Sequence, residues 1–134
     1  MTLLFAIAAG VSVGNLYWAQ PLLTPIAKAF GISLGNAGLV ITVTQIGYAI
    51  GVFLIVPLGD TINRRHILPI VMVLASMALL VISGSPSFSG LLLGAFFLGF
   101  FTVSGQILTP LAGDLATDDQ RGRVLGVVTS GLML

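Results

Sequence analysis

Apolar residues run along this chain in long blocks, separated by short groups of glycine, proline and charge. Four blocks, residues 3–27, 36–58, 66–83 and 89–112, approach or exceed the roughly 20 mainly apolar residues a helix needs to cross a bilayer. Lys28-Ala29-Phe30-Gly31 closes the first block, Gly59-Asp60 the second, and Gly84-Ser85-Pro86-Ser87 makes a tight turn between the third and fourth. The blocks are unbroken, without the alternating polarity of the roughly ten-residue strands of membrane barrels. Helices are expected, because in lipid they satisfy their own backbone N–H and C=O groups. A fifth block, residues 122–134, would reach only about 20 Å as a helix, short of a hydrocarbon core of about 30 Å. The sequence therefore reads as truncated, with a longer functional molecule around it.

Composition supports a lipid surrounding. Of 134 residues, 57% are hydrophobic and 7% charged, with a mean hydropathy of +1.14. Soluble domains carry about 25% charged residues and need them to face water. A net charge of +1 with no basic run excludes a nucleic-acid partner. The absence of cysteine excludes disulfides and thiolate metal sites, and no cofactor or metal is expected. Met1 leads straight into an apolar block with no basic stretch before it, so that block reads as a retained helix rather than a signal peptide.

Basic residues orient the expected helices. Arg64 and Arg65 lie in one loop and Arg121 and Arg123 in another on the same side, against Lys28 on the opposite side. The positive-inside rule puts the arginine loops and the N-terminus in the cytoplasm. Glycines recur at four-residue spacing in Gly10/Gly14, Gly47/Gly51, Gly90/Gly94 and Gly122/Gly126. Each pair lies on one helix face, where small residues let backbones approach closely. Such faces serve for plain packing or as sliding surfaces.

The arginine loops read PLGDTINRRH, from Pro57 to His66, and PLAGDLATDDQRGR, from Pro110 to Arg123. Each has a Gly-Asp pair at a helix end and arginines a few residues on. The first resembles the loop between helices two and three of the major facilitator superfamily, G-x-x-x-D-(R/K)-x-G-(R/K)-(R/K). Asp60, Arg64 and Arg65 match its acidic and two terminal basic positions; Val56, Thr61 and Asn63 depart from it. The second loop and the segment NLYWAQPLL, from Asn15 to Leu23, resemble a bacterial efflux-type branch of that superfamily.

The resemblance implies an all-α transmembrane fold: helices one to four and the start of helix five of a twelve-helix bundle in the bacterial inner membrane. It implies secondary active transport of a small organic solute by alternating access, in the export direction, as an antiporter. The implied partners are the small-molecule substrate, a coupling proton, the lipid bilayer and the C-terminal half of the same transporter. In the family the loop's aspartate and arginines form a cytoplasmic gate. By position Asp60 is expected to pair with Arg64, and Arg65 or Asp114 to join them. The alternative is that these charges fix topology and face water, where ion pairs contribute about 0–1 kcal/mol. Asp118, Asp119 and His66 are expected to be solvated.

No ionisable residue falls in mid-membrane. Ala95 stands near the place where drug–proton antiporters of the superfamily carry an arginine. The polar residues there are neutral. Thr102, Gln106 and Thr109 follow i, i+4, i+7 spacing and are expected on one face of the fourth helix; on the second, Thr42 and Gln45 share a face with Tyr48 near its edge. On the first helix Ser12 aligns with Asn15, while Tyr17, Gln20 and Thr24 form another side that Pro21 and Pro25 can bend. Asn15, Gln20, Gln45, Tyr48 and Gln106 are the candidates for a substrate cavity, since amides, hydroxyls and aromatics suit an uncharged or amphiphilic solute. The same amides also fit as interhelical hydrogen bonds, worth about 0.6 kcal/mol each.

Other classes find little support. An enzyme needs convergent nucleophile, base or metal ligands, and one histidine with no cysteine and no mid-membrane carboxylate supplies none. A small four-helix multidrug exporter would need a membrane-embedded glutamate in its first helix, which this chain lacks. A non-functional transporter remnant or a partner-dependent membrane scaffold remains the alternative function.

Overall fold

Local signals set the helix boundaries. Gly31 takes the left-handed conformation (φ 62°), and its N–H bonds back to the carbonyls of Ala27 and Lys28. Only glycine adopts that geometry without strain, which makes it a natural helix stop. Ser33, Asn63 and Ser87 each precede a helix and accept a backbone N–H from its first turn through the side chain. The structure, a computed structural model, describes residues 2–117 and 119–133, apart from the side chains of Thr2, Asp60 and Leu132.

The regular structure among these residues is entirely helical. In chain order the helices are α1 (Thr2–Tyr17), a 3-10 turn (Gln20–Leu22), α2 (Leu23–Phe30), α3 (Leu34–Ala37), α4 (Leu39–Thr61), α5 (Arg64–Gly84), α6 (Phe88–Phe101), α7 (Ser104–Leu115) and α8 (Arg121–Met133). Four stretches are long and apolar enough to cross a membrane: Leu3–Phe30, Leu34–Gly59, Arg64–Gly84 and Phe88–Leu115. Large apolar side chains point outward along them, among them Phe53, Leu80 and Ile70. In lipid that is the expected outer surface.

The fourth stretch forms the centre of the bundle. Of its most apolar window 61% is buried, against 17% for the third. It differs from the continuous helix expected from its sequence, because it breaks at Thr102-Val103 into α6 and α7. Pro110 does not cause this, since it lies inside α7. Instead the turn tightens: the Thr102 N–H reaches both Leu98 and Gly99, and the Gln106 N–H bonds only three residues back to Val103. The two pieces also pack on different neighbours, α6 on α4 and α5, and α7 on α1, α5 and α8. The break overturns the expected single face of Thr102, Gln106 and Thr109: Thr102 is buried and Gln106 exposed. The first stretch breaks as well, at the 3-10 turn containing Pro21, which has no N–H to continue the ladder.

Glycine decides the closest helix contacts. A methyl group added at Gly47, Gly51 or Gly99 would run into the carbonyls of Phe96, Phe100 and Thr44 respectively, so α4 and α6 touch backbone to backbone. A second close contact joins α1 and α8, where Gly10 faces Gly131 and Gly131 faces Ala6. Gly14, Gly122 and Gly126 have open space instead. Buried Val103, Ile107, Leu108 and Leu111 fill the arginine end of the bundle together with Ile55, Leu68 and Val128. Ala19, Val40, Leu91 and Ala95 fill the opposite end beside Trp18, Phe30 and Phe88.

Candidate functional site

The polar residues of the interior gather around α7. Ser12 on α1 donates its hydroxyl proton to the Ala8 carbonyl, 2.8 Å away. Its oxygen lies 2.6 Å from the Ser104 hydroxyl on the first turn of α7. With the Ser12 proton committed to Ala8, Ser104 supplies the donor in this buried pair. Two residues further on, Gln106 donates from Nε2 to the Tyr48 hydroxyl of α4 at 3.0 Å. Helix α7 is therefore tied to α1 by two serines and to α4 by an amide and a phenol.

Of the five cavity candidates, the structure joins Tyr48 and Gln106. It does not join the other three to them. Asn15 and Gln45 are half-buried and Gln20 is exposed. Their side chains make no hydrogen bond among the described residues. Ser104 was missed in the sequence, where it stands amid small and apolar residues with no spacing to single it out; only its position opposite Ser12 reveals its part. Two more polar atoms are buried without a partner among the described residues, the Trp18 indole nitrogen and the Thr102 hydroxyl at the helix break.

The arginine end carries the charges. Arg64 on the first turn of α5 pairs with Asp114 near the end of α7, at 2.8 Å. Asp114 thus joins Arg64 across fifty positions of sequence. The expected pairing of Asp60 with Arg64 concerns a side chain outside the described residues. The Arg65 guanidinium has no ion pair among the described residues, though the Arg65 backbone N–H is held by the Asn63 side chain. Arg121, at the start of α8, lies over Gly113, where a methyl group would meet its guanidinium at 3.6 Å. Both partners of the Arg64–Asp114 pair reach solvent, with 26% and 55% of the side chain exposed. Exposed pairs of this kind are worth about 0–1 kcal/mol. No cluster of three or more metal-ligating side chains occurs among the described residues.

The sequence pattern of the Major Facilitator Superfamily matches residues 5–134. The chain belongs to this superfamily. Curated relatives that match the chain are named as transporters. Among its relatives, the Uncharacterized transporter YgaY of Escherichia coli O157:H7 is 42% identical over the whole chain, which spans 34% of that protein. The protein named Probable transporter SCO4007 of Streptomyces coelicolor is 36% identical over 96% of the chain and 30% of its own length. The Purine ribonucleoside efflux pump NepI of Escherichia coli O127:H6 is 30% identical over 84% of the chain and 30% of its length. The chain thus spans about a third of these curated relatives. No solved structure matches it.

Proposed function

We propose that this chain is part of a secondary transporter that moves a small organic solute by alternating access, in the export direction. The bond between Gln106 and Tyr48 carries the reading. It links α4 to the broken central helix by an exposed amide and a half-buried phenol, and a solute could exchange for either partner. A hydroxyl or ring nitrogen of the solute would take over the Gln106 donor, and its flat face would lie on Tyr48. The half-buried amides of Asn15 and Gln45, which make no hydrogen bond among the described residues, are the further candidates to meet an uncharged molecule. The likeness to a purine ribonucleoside efflux pump supports export and makes nucleosides the first compounds to try.

In this reading the Arg64–Asp114 pair, with Asp60 and Arg65, is a gate on the cytoplasmic side, and the N-terminus is cytoplasmic. Both first and fourth stretches are interrupted, which is where transporters of this kind place substrate sites. The coupling ion would be a proton taken up by the rest of the transporter.

The test is nucleoside export by cells making the intact gene product, with and without Gln106→Ala. A substrate-dependent rise in half-saturation concentration, with unchanged protein level, is expected. Equal loss for every substrate together with lowered stability would leave Gln106 as an interhelical bond and remove the site.

A further inference from the structure

The arginine end of the bundle holds a cavity of about 460 Å3 between the α4–α5 turn and the end of α7, lined by Thr61, Ile62, Asn63, Arg64, Arg65 and Asp114. A second, almost wholly apolar groove of about 600 Å3 lies between α4, α5 and α6, with Leu54, Leu58, Val71, Phe100 and Phe101 in its walls. The two share Ile62. Leu54 and Leu58 lie one turn apart on α4, about 6 Å at 1.5 Å per residue, and Ile62 follows as the extended residue that ends the helix. The polar pocket therefore borders, at Ile62, an apolar furrow that runs along the membrane-crossing part of α4. Leu54 and Leu58 are 51% and 47% exposed, so the furrow opens outward.

We propose that this combined site holds one anionic phospholipid, with its phosphate on Arg65 and an acyl chain along Leu58 and Leu54. The charges point to an anion. Arg64 is paired with Asp114, whereas Arg65, which lines the same cavity, has no ion pair among the described residues. Asn63 uses its oxygen on the Arg65 N–H and Thr61 donates to the Leu58 carbonyl. The Asn63 NH2 group remains as a second donor toward a phosphate. A planar guanidinium binds phosphate through two parallel bonds. Two arginines against one carboxylate give the described lining a net positive charge, which favours an anionic headgroup over a zwitterionic one. The apolar furrow favours a lipid over free phosphate.

Native mass spectrometry of the intact gene product in detergent tests this without any transport assay, so its outcome is separate from that of the transport reading. The probes are dioleoylphosphatidylglycerol, dioleoylphosphatidylcholine and inorganic phosphate. Retention of the glycerol lipid is expected to exceed that of the choline lipid about fivefold, as one basic residue contributes at an anionic surface. Arg65→Ala should abolish the preference, while Arg123→Ala, in the other loop, should keep it. A phosphatidylglycerol with a photoactivatable acyl chain should label the peptides carrying Leu54, Leu58 or Phe100, and less so in Leu58→Asn. Equal retention of the two lipids, or a preference that survives Arg65→Ala, overturns the proposal. So does labelling confined to other helices. Phosphate binding at Arg65 without acyl labelling would make it a small-anion site only, which also overturns it.

Discussion

At Gly99, Gly47 and Gly51 the absence of a side chain is the structural feature that matters, because α4 and α6 meet there backbone to backbone. Lipid gives helices no hydrophobic reason to associate, so close van der Waals contact must supply the attraction. A side chain at Gly99 would meet the Thr44 carbonyl and the Tyr48 amide rather than a flexible group. Gly99→Ala is therefore expected to lower stability by about 1–3 kcal/mol, the usual cost of overpacking. Gly126→Ala, at an open position, should be neutral or slightly stabilising. Unfolding titrations in mixed detergent micelles compare the two; equal effects would remove the close-contact explanation.

At the scale of elements, the broken central helix sets the arrangement. Phe88 to Phe101 belongs to one neighbourhood and Ser104 to Leu115 to another, and the Ser12–Ser104 bond fastens the second to α1. Ser104→Ala leaves Ser12 bonded to Ala8, so a modest stability loss of about 0.6 kcal/mol is expected. Its effect on local opening should be larger than its effect on global stability. Hydrogen exchange at the amides of Ser104 to Ile107 should accelerate while that at Leu91 to Leu98 stays unchanged. Uniform acceleration along both pieces would mean that they open as one helix and that the break has no mechanical role.

At the scale of the whole molecule, the arginine loops connect helices: α5 to α7, fifty positions on, through Arg64 and Asp114, and α7 to the next helix, α8, through Arg121 over Gly113. An exposed pair contributes about 0–1 kcal/mol to stability, yet a bias of that size shifts a two-state equilibrium. In the intact gene product, Asp114→Asn is expected to reduce transport severalfold while expression holds. The exchange Arg64→Asp with Asp114→Arg should restore part of it if the pair itself matters. Transport unaffected by Asp114→Asn would leave the pair as a topological marker only.

Much of the architecture was legible from one dimension, for a physical reason. Lipid demands long apolar helices with satisfied backbones, so the helical class, the stop at Gly31, the start at Ser87 and the break near Pro21 are written in local residue types. The glycine spacing of Gly47 and Gly51 likewise announces a contact, though not its partner Gly99. Tertiary structure decided the rest. Whether Thr102 shares a face with Gln106 depends on which neighbours hold α6 and α7 apart. That Arg64 meets Asp114, Ser12 meets Ser104 and Tyr48 meets Gln106 depends on helices brought together across 50, 92 and 58 positions of sequence. The apolar pattern tells each segment to be a helix in a membrane, and nothing in that pattern ranks the faces of helices that are apolar all round. Close-packed glycines and a few polar pairs make that choice, and they act only once the helices are side by side.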